Sequence, residues 1–181
     1  MSKNKQTLLD HWPDWFAALM LVERMYPNYV LFSEAASFGE AARLRNILDL
    51  LWEQFTEKPS AVDFIKQRDK LDQLTPNSED FDIFGVRPAI DACTAVSLLL
   101  DSAAFAEPLD LSSIKALDVS TISAYLELMD ENITEHPLFQ ASEALCQQVL
   151  EMTQSSSRME ALAVLREMRK ALQQSNLGIE L

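Results

Sequence analysis

The chain has 181 residues, of which 48% are hydrophobic and 24% are charged, and its formal net charge is −13. This length and composition are typical of one soluble globular domain, and the acidic balance disfavours binding to nucleic-acid phosphate or to an anionic membrane, since both depend on Lys and Arg. Asp10, His11 and Asp14 interrupt the N-terminal region, so it lacks the apolar segment of a signal peptide. We therefore expect a single cytoplasmic domain over residues 1–181.

The sequence predicts an all-α fold, a single bundle of about seven to eight helices, because it has only three glycines and no Asn-Gly or Asp-Gly hairpin signal. Apolar residues at helical spacing predict a first helix from Pro13 that ends before Pro27, since the residue preceding a proline avoids the helical conformation. A short second helix over residues 28–36 and a third over residues 40–55 should follow. The later helices are predicted to begin at a capping residue or a proline: Ser60, Asp110 or Ser112, Pro137 and Ser157.

One helix in the middle of the chain has no polar face. From residue 89 to residue 100 nearly every side chain is apolar or small, which is typical of a membrane span or of a buried central helix. The uninterrupted run between Asp91 and Asp101 is far shorter than the roughly 20 residues that a bilayer requires. We therefore predict that residues 88–104 form the buried centre of the bundle, with Pro88 as its first helical residue.

Sequence motifs of common catalytic and cofactor sites are absent. There is no His-Glu-x-x-His, Cys-x-x-Cys, Walker loop or glycine-rich dinucleotide turn, and neither histidine follows a glutamate at the spacing that a di-metal bundle uses. We therefore predict no catalytic residue, no metal site and no cofactor. Cys93 and Cys146 lie at apolar helical positions and are predicted to be reduced, inert core thiols.

An acidic loop precedes the central helix and is the first candidate site. Glu79, Asp80 and Asp82 lie in this loop, and Asp91 is predicted to lie in the first turn of the helix. Clustered carboxylates can bind a hard cation such as Mg²⁺, but the same charges also favour a turn and complement the helix dipole. Both interpretations remain open.

The second candidate site is the segment around Pro27. Five polar side chains lie there at a predicted change of helix direction: Glu23, Arg24, Tyr26, Asn28 and Tyr29. Such a cluster is found in binding sites and equally in an ion-paired helix end, so this choice also remains open.

Asp91 requires a partner because a carboxylate on an apolar helix is poorly solvated. Basic residues are scarce in the later part of the chain. We predict Arg24 as the partner, with Arg45 and Arg87 as the next candidates, which would bring the two candidate sites together.

Four segments of the chain resemble the YjaG-like family of bacterial proteins of unknown function (domain-of-unknown-function family 416). They are Glu23-Arg-Met-Tyr-Pro-Asn-Tyr29, Ile47-Leu-Asp-Leu-Leu-Trp-Glu53, Asp80-Phe-Asp-Ile-Phe-Gly-Val-Arg-Pro-Ala-Ile-Asp-Ala-Cys93 and Ser175-Asn-Leu-Gly-Ile179. The resemblance implies an all-helical cytoplasmic bacterial protein, and it implies no activity and no catalytic residue. Phe84 stands where the family pattern has a tyrosine, so no role for a hydroxyl group follows at that position.

Two hypotheses of function follow from these observations. The first is a non-enzymatic helical interaction module whose acidic surface binds another protein or a second copy of the chain, because residues 88–157 hold eleven acids and one base, Lys115. The alternative is a small enzyme or a ligand- or metal-binding protein with a polar pocket between residues 23–29 and 79–91.

Overall fold

The computed structural model describes residues 8–129, 136–172 and 174–180. Within these ranges it contains seven helices of nine residues or more, and its only β-pairing is an isolated bridge between Gln174 and Glu180. The helices are α1 (Trp12–Ala36), α2 (Ala41–Glu53), α3 (Phe64–Asp72), α4 (Val86–Phe105), α5 (Leu111–Leu128), α6 (Pro137–Ser155) and α7 (Arg158–Ala171). The predicted all-α fold is confirmed, and buried side chains from all seven helices form one continuous hydrophobic cluster.

The first helix continues through Pro27 to Ala36 and is 25 residues long. A proline inside a helix removes one backbone hydrogen bond and displaces carbonyl groups of the preceding turn. One carbonyl of that turn has a tertiary donor here, because the backbone N–H of Asn176 donates to the carbonyl oxygen of Arg24 over 2.9 Å. The prediction that the helix ends before Pro27 is therefore wrong, since tertiary contacts outweigh the local preference.

The most enclosed helix is α1. It packs against α2, α4, α5, α6 and α7, and every residue from Trp15 to Met25 is buried. The predicted buried helix in the middle of the chain is present as α4, but α4 leaves Thr94 exposed. The apolar sequence pattern predicts α4 rather than α1 as the buried central helix, because Glu23 and Arg24 interrupt the apolar stripe of α1. Both of these charged residues are buried by polar contacts with other helices.

The helix α4 packs against α1, α2, α3 and α5. It begins at Val86, two residues before the predicted start, so that Pro88 lies within its first turn. By length and composition alone α4, with 20 residues, is long and apolar enough to cross a bilayer. The uninterrupted apolar run between Asp91 and Asp101 is shorter than the whole helix, so the sequence did not indicate this. The core helix of a globular bundle has the same properties, and Val96 and Leu99 of α4 are buried among its neighbours.

Capping side chains define several helix starts. Asp110 accepts hydrogen bonds from the backbone N–H groups at the start of α5, and Ser157 forms a capping box with Glu160 at the start of α7, as the sequence predicts. The start of α3 is different. It is capped by Asp63, whose carboxylate accepts from a backbone N–H over 3.0 Å, and Ser60 lies outside the helix.

The C-terminal tail folds back onto the bundle. Leu177 packs with Ile122 and Leu126 of α5, and Ile179 packs against the same small cluster. Asn176 has no exposed surface, so the tail is an integral part of the packing around α1.

The burial of α4 is tested by Leu99→Ala. Leu99 has no exposed surface, and truncation leaves a cavity, so we expect the free energy of unfolding to fall by about 2–4 kcal/mol in urea denaturation. The matched control is Leu128→Ala, because Leu128 is 69% exposed and should contribute less than about 0.5 kcal/mol. Equal losses for the two variants would contradict the core position of Leu99.

The two thiols should be unreactive in the folded protein. Burial raises the pKa of Cys93 to about 12 and also raises the pKa of Cys146, so almost no thiolate is present at pH 7. We expect labelling by a thiol-reactive disulfide to be slow in buffer and to become rapid in denaturant. Rapid labelling of the native protein would contradict this expectation.

Candidate functional site

The structure distributes the nine residues proposed from sequence among separate environments. Successive residues of a helix point in directions about 100° apart, so neighbours along the chain face different elements. Glu23 and Tyr26 face α2, whereas Arg24 and Asn28 face α6 and the tail. Tyr29 contacts Leu74, two residues after the end of α3. Glu79, Asp80 and Asp82 lie in the loop before α4, and Asp91 lies in the second turn of α4 rather than in its first turn as predicted.

Glu23 is the centre of a buried ion network that joins α1, α2 and α7. Its carboxylate accepts two hydrogen bonds from Arg45 (2.6 and 2.7 Å) and one from Trp52 Nε1 (2.7 Å), and Arg169 Nε lies 3.0 Å away. Asp49 bridges Arg45 and Arg169 from the surface. These contacts use the roughly four acceptor sites of a carboxylate, so Glu23 links the helices and has no capacity left for a ligand.

The two tyrosines also bind protein groups. The hydroxyl of Tyr26 donates to the carbonyl oxygen of Ala41 (3.2 Å), and Arg45 lies over its ring. The buried hydroxyl of Tyr29 donates to the carbonyl oxygen of Leu74 (2.9 Å), and burial raises the pKa of Tyr29. Gly39, in the left-handed region with φ +68°, lies so close to this hydroxyl that a Cβ atom would collide with it.

Arg24 belongs to a second buried polar cluster. Its guanidinium donates a hydrogen bond to the Ser142 hydroxyl (2.8 Å), and the same hydroxyl donates a hydrogen bond to the carboxylate of Asp118. The amide of Asn176 donates to Asp118 (2.9 Å) and accepts from Asn28 (2.7 Å). This chain of contacts joins α1, α5, α6 and the tail in the interior.

The charges of this second cluster are only partly compensated. Burial raises the pKa of Asp118, against the opposing effects of Ser142, Arg24 and Asn176. Burial likewise lowers the pKa of Arg24, against the opposing charge of Asp118. Asp118 was not identified from the sequence, although its position indicates that it is buried. It lies four residues after Ile114 and therefore on the same, buried face of α5.

Asp91 does not pair with Arg24. Its carboxylate accepts from the Thr121 hydroxyl on α5 (2.8 Å), and the nearby charge is that of Arg87, one turn earlier on α4. Burial raises the pKa of Asp91, and Thr121 and Arg87 partly oppose this effect. The predicted Arg24–Asp91 pair is therefore wrong. From α1, Arg24 is directed towards Ser142 of α6, whereas Asp91 binds Thr121 of α5.

A groove lies between the loop that precedes α4 and the helix α5. It consists of two adjoining cavities of about 620 and 250 Å³. We call it the acidic groove and define it by its lining residues: Ser78, Phe81, Asp82, Ile83, Phe84, Val86, Arg87, Ile90, Asp91, Ser120, Ala124, Glu127 and Leu128. In the described part of the chain, no three Asp, Glu, His or Cys side chains approach closely enough to ligate one metal ion.

Large apolar side chains are exposed along the acidic groove. Ile83 is 41% exposed, Phe84 45% and Leu128 69%, and Met129 beside them is 55% exposed. The ring of Phe84 contacts that of Tyr125, with their centroids 5.9 Å apart. Phenylalanine at position 84 therefore contributes an apolar surface at the entrance to the groove.

The role of Glu23 is tested by Glu23→Gln. This change keeps the shape of the side chain but leaves Arg45 and Arg169 without its charge, so we expect the free energy of unfolding to fall by about 3–5 kcal/mol. The control is Glu167→Gln, which removes an exposed pair with Lys170 and should have little effect in the same chemical denaturation experiment. A small loss for Glu23→Gln would contradict its position at the centre of the network.

Comparison with known proteins gives consistent results. The family described as "Protein of unknown function (DUF416)" matches residues 3–180. The uncharacterized protein YjaG of Escherichia coli is 38% identical over 136 residues, which are 71% of this chain and 69% of that protein. The uncharacterized protein YjaG of Salmonella typhimurium is 36% identical with the same coverage.

A solved structure agrees in fold over the whole chain. The crystal structure of a DUF416 family protein from Shewanella baltica superposes with a TM-score of 0.83 and 28% sequence identity, and the match covers 100% of this chain and 95% of that one. The chain therefore belongs to the DUF416 family, whose function is unknown, and it is similar to the uncharacterized YjaG proteins.

Proposed function

We propose that this chain is a non-enzymatic interaction protein of the cytoplasm, and that its acidic groove binds a basic, partly apolar segment of another protein. The observation that carries the proposal is the coincidence of exposed apolar side chains with carboxylates in one concave surface. A cytoplasmic location is consistent with the two cysteines, which are both free and buried.

The apolar part of the groove supplies the driving force for association. Ile83, Phe84 and Leu128 expose more surface than most large apolar residues of the described chain. Contiguous exposed apolar residues with a polar rim are typical of protein-binding surfaces. An aromatic side chain such as Phe84 is among the residue types that contribute most to binding energy.

The charges of the groove favour a basic partner. Asp82, Asp91 and Glu127 line it, and Arg87 is the one basic residue among its lining residues. The preceding loop adds the exposed acids Glu79 and Asp80. A second copy of the chain would bring another net charge of −13 to this surface, so electrostatic complementarity favours a different, basic protein.

The alternative of an enzyme or ligand site between residues 23–29 and 79–91 receives less support. The carboxylate of Glu23 and the hydroxyls of Tyr26 and Tyr29 all bind protein groups. A substrate would have to displace these contacts. The groove beside residues 79–91 opens towards α5 and is lined by none of the residues of segment 23–29.

The proposal is tested with two short synthetic peptides of equal length, one amphipathic with Leu and Lys and the other with Leu and Glu. In fluorescence anisotropy, we expect the Lys peptide to bind, to bind less tightly as salt increases, and to bind at least about fivefold less tightly to Phe84→Ser. The matched control is Phe105→Ser. Phe105 is 52% exposed and ends α4 about 20 Å along the helix from Asp91, the lining residue of α4 nearest to it in sequence, so its replacement should not change the affinity.

Three results would overturn the proposal. The first is an equal affinity for the Glu peptide, and the second is an equal effect of Phe84→Ser and Phe105→Ser. The third is sedimentation of the native protein as a dimer that Phe84→Ser dissociates, since the groove would then hold a second copy.

A further inference from the structure

A second concave surface, which shares no lining residue with the acidic groove, lies between α6, α7 and the tail. It has a volume of about 480 Å³, within the usual range of small-molecule sites. We call it the Arg24 pocket and define it by its lining residues: Arg24, Ala141, Ala144, Leu145, Gln148, Ala171, Leu172 and Gln174. Although the chain carries a net charge of −13, no acidic side chain is among these residues.

Arg24 is an incompletely paired cation at the base of this pocket. The residue is only 7% exposed, and its guanidinium has one hydrogen bond to a described residue, the contact with Ser142. A guanidinium has five N–H donors. No ion pair joins Arg24 to a carboxylate in the described part of the chain, since Asp118 acts on it only through the electrostatic field and the shared hydroxyl of Ser142.

The other arginines near α1 show how unusual this arrangement is. Arg45 and Arg169 have side chains that are 22% and 25% exposed, and both form ion pairs with Glu23 and Asp49. Arg24 is more buried and yet has no such partner. A buried charge normally requires one, so the geometry indicates that an anion from solution completes the site.

We infer that the Arg24 pocket binds a small organic carboxylate with a short apolar chain, at a site independent of the acidic groove. The free N–H groups of Arg24 hold the carboxylate, since a guanidinium matches its geometry in a bidentate contact. The apolar chain lies against Leu145, Leu172 and the alanines of α6. A phosphate group fits less well, because its greater charge would face a single cation among the lining residues.

The test uses butyrate as the probe, with butyramide and inorganic phosphate as comparisons, in saturation-transfer NMR and protein-detected titrations. Gln148 is exposed and lines the pocket, so Gln148→Glu should keep the fold while weakening butyrate binding roughly tenfold, and Gln148→Lys should strengthen it. The matched controls are Gln154→Glu and Gln154→Lys. Gln154 is exposed on the same helix, outside the pocket, and should leave the affinity unchanged.

The inference is supported if butyrate binds, butyramide does not, and only the Gln148 variants change the affinity. It is overturned if butyrate gives no transfer, if butyramide or phosphate binds as tightly, or if the Gln154 variants have the same effect as those of Gln148. Loss of butyrate binding in Phe84→Ser alone would place the ligand in the acidic groove and would also overturn it. Circular dichroism and thermal unfolding of each variant verify that the fold is retained.

Discussion

The enclosure of α1 by five other helices is the constraint on which the rest of the structure depends. From Trp15 to Met25 every residue of α1 is buried, so the polar side chains of this stretch must find protein partners. Glu23 and Arg24 are adjacent and oppositely charged, yet helix geometry turns them towards different neighbours. The carboxylate of Glu23 binds arginines from α2 and α7, and the guanidinium of Arg24 reaches α6. These contacts determine which helices must lie on which side of α1.

The two charged residues differ in how fully their polar groups are paired, since Glu23 forms ion pairs with two arginines and Arg24 forms one hydrogen bond with Ser142. In the Glu23 network, each of the two acids, Glu23 and Asp49, forms ion pairs with both arginines, Arg45 and Arg169. In the cluster around Arg24 and Asp118, the guanidinium of Arg24 has no direct ion pair within the described residues. Arg24 also lines a pocket that has no acidic residue among its lining residues. The acidic groove beside Asp91 shares no lining residue with this pocket. One bundle thus carries two surfaces of different charge, and we propose a different class of ligand for each.

Proline and the tail show how local and distant contacts combine in this fold. Pro27 disturbs the hydrogen bonding of the preceding turn, and the N–H of Asn176 donates to a carbonyl group of that turn. The side chain of Asn176 also links Asn28 with Asp118. A residue near the end of the chain thereby stabilises a helix near its beginning. The C-terminal segment Ser175–Ile179 has its structural explanation in these contacts.

The sequence by itself determined the helical class, the burial of both cysteines and the cap at Ser157, and it limited the α5 cap to Asp110 or Ser112, because these depend on composition or on residues within one helical turn. Its four motifs also indicated the family. Only the tertiary structure decided that the first helix passes through Pro27, that Arg24 meets Ser142 rather than Asp91, and that a groove forms beside α5. The physical reason is the same in each case. The partners come from distant parts of the chain, and the direction of a helical side chain towards them depends on how the helices pack, which no local pattern of residues records.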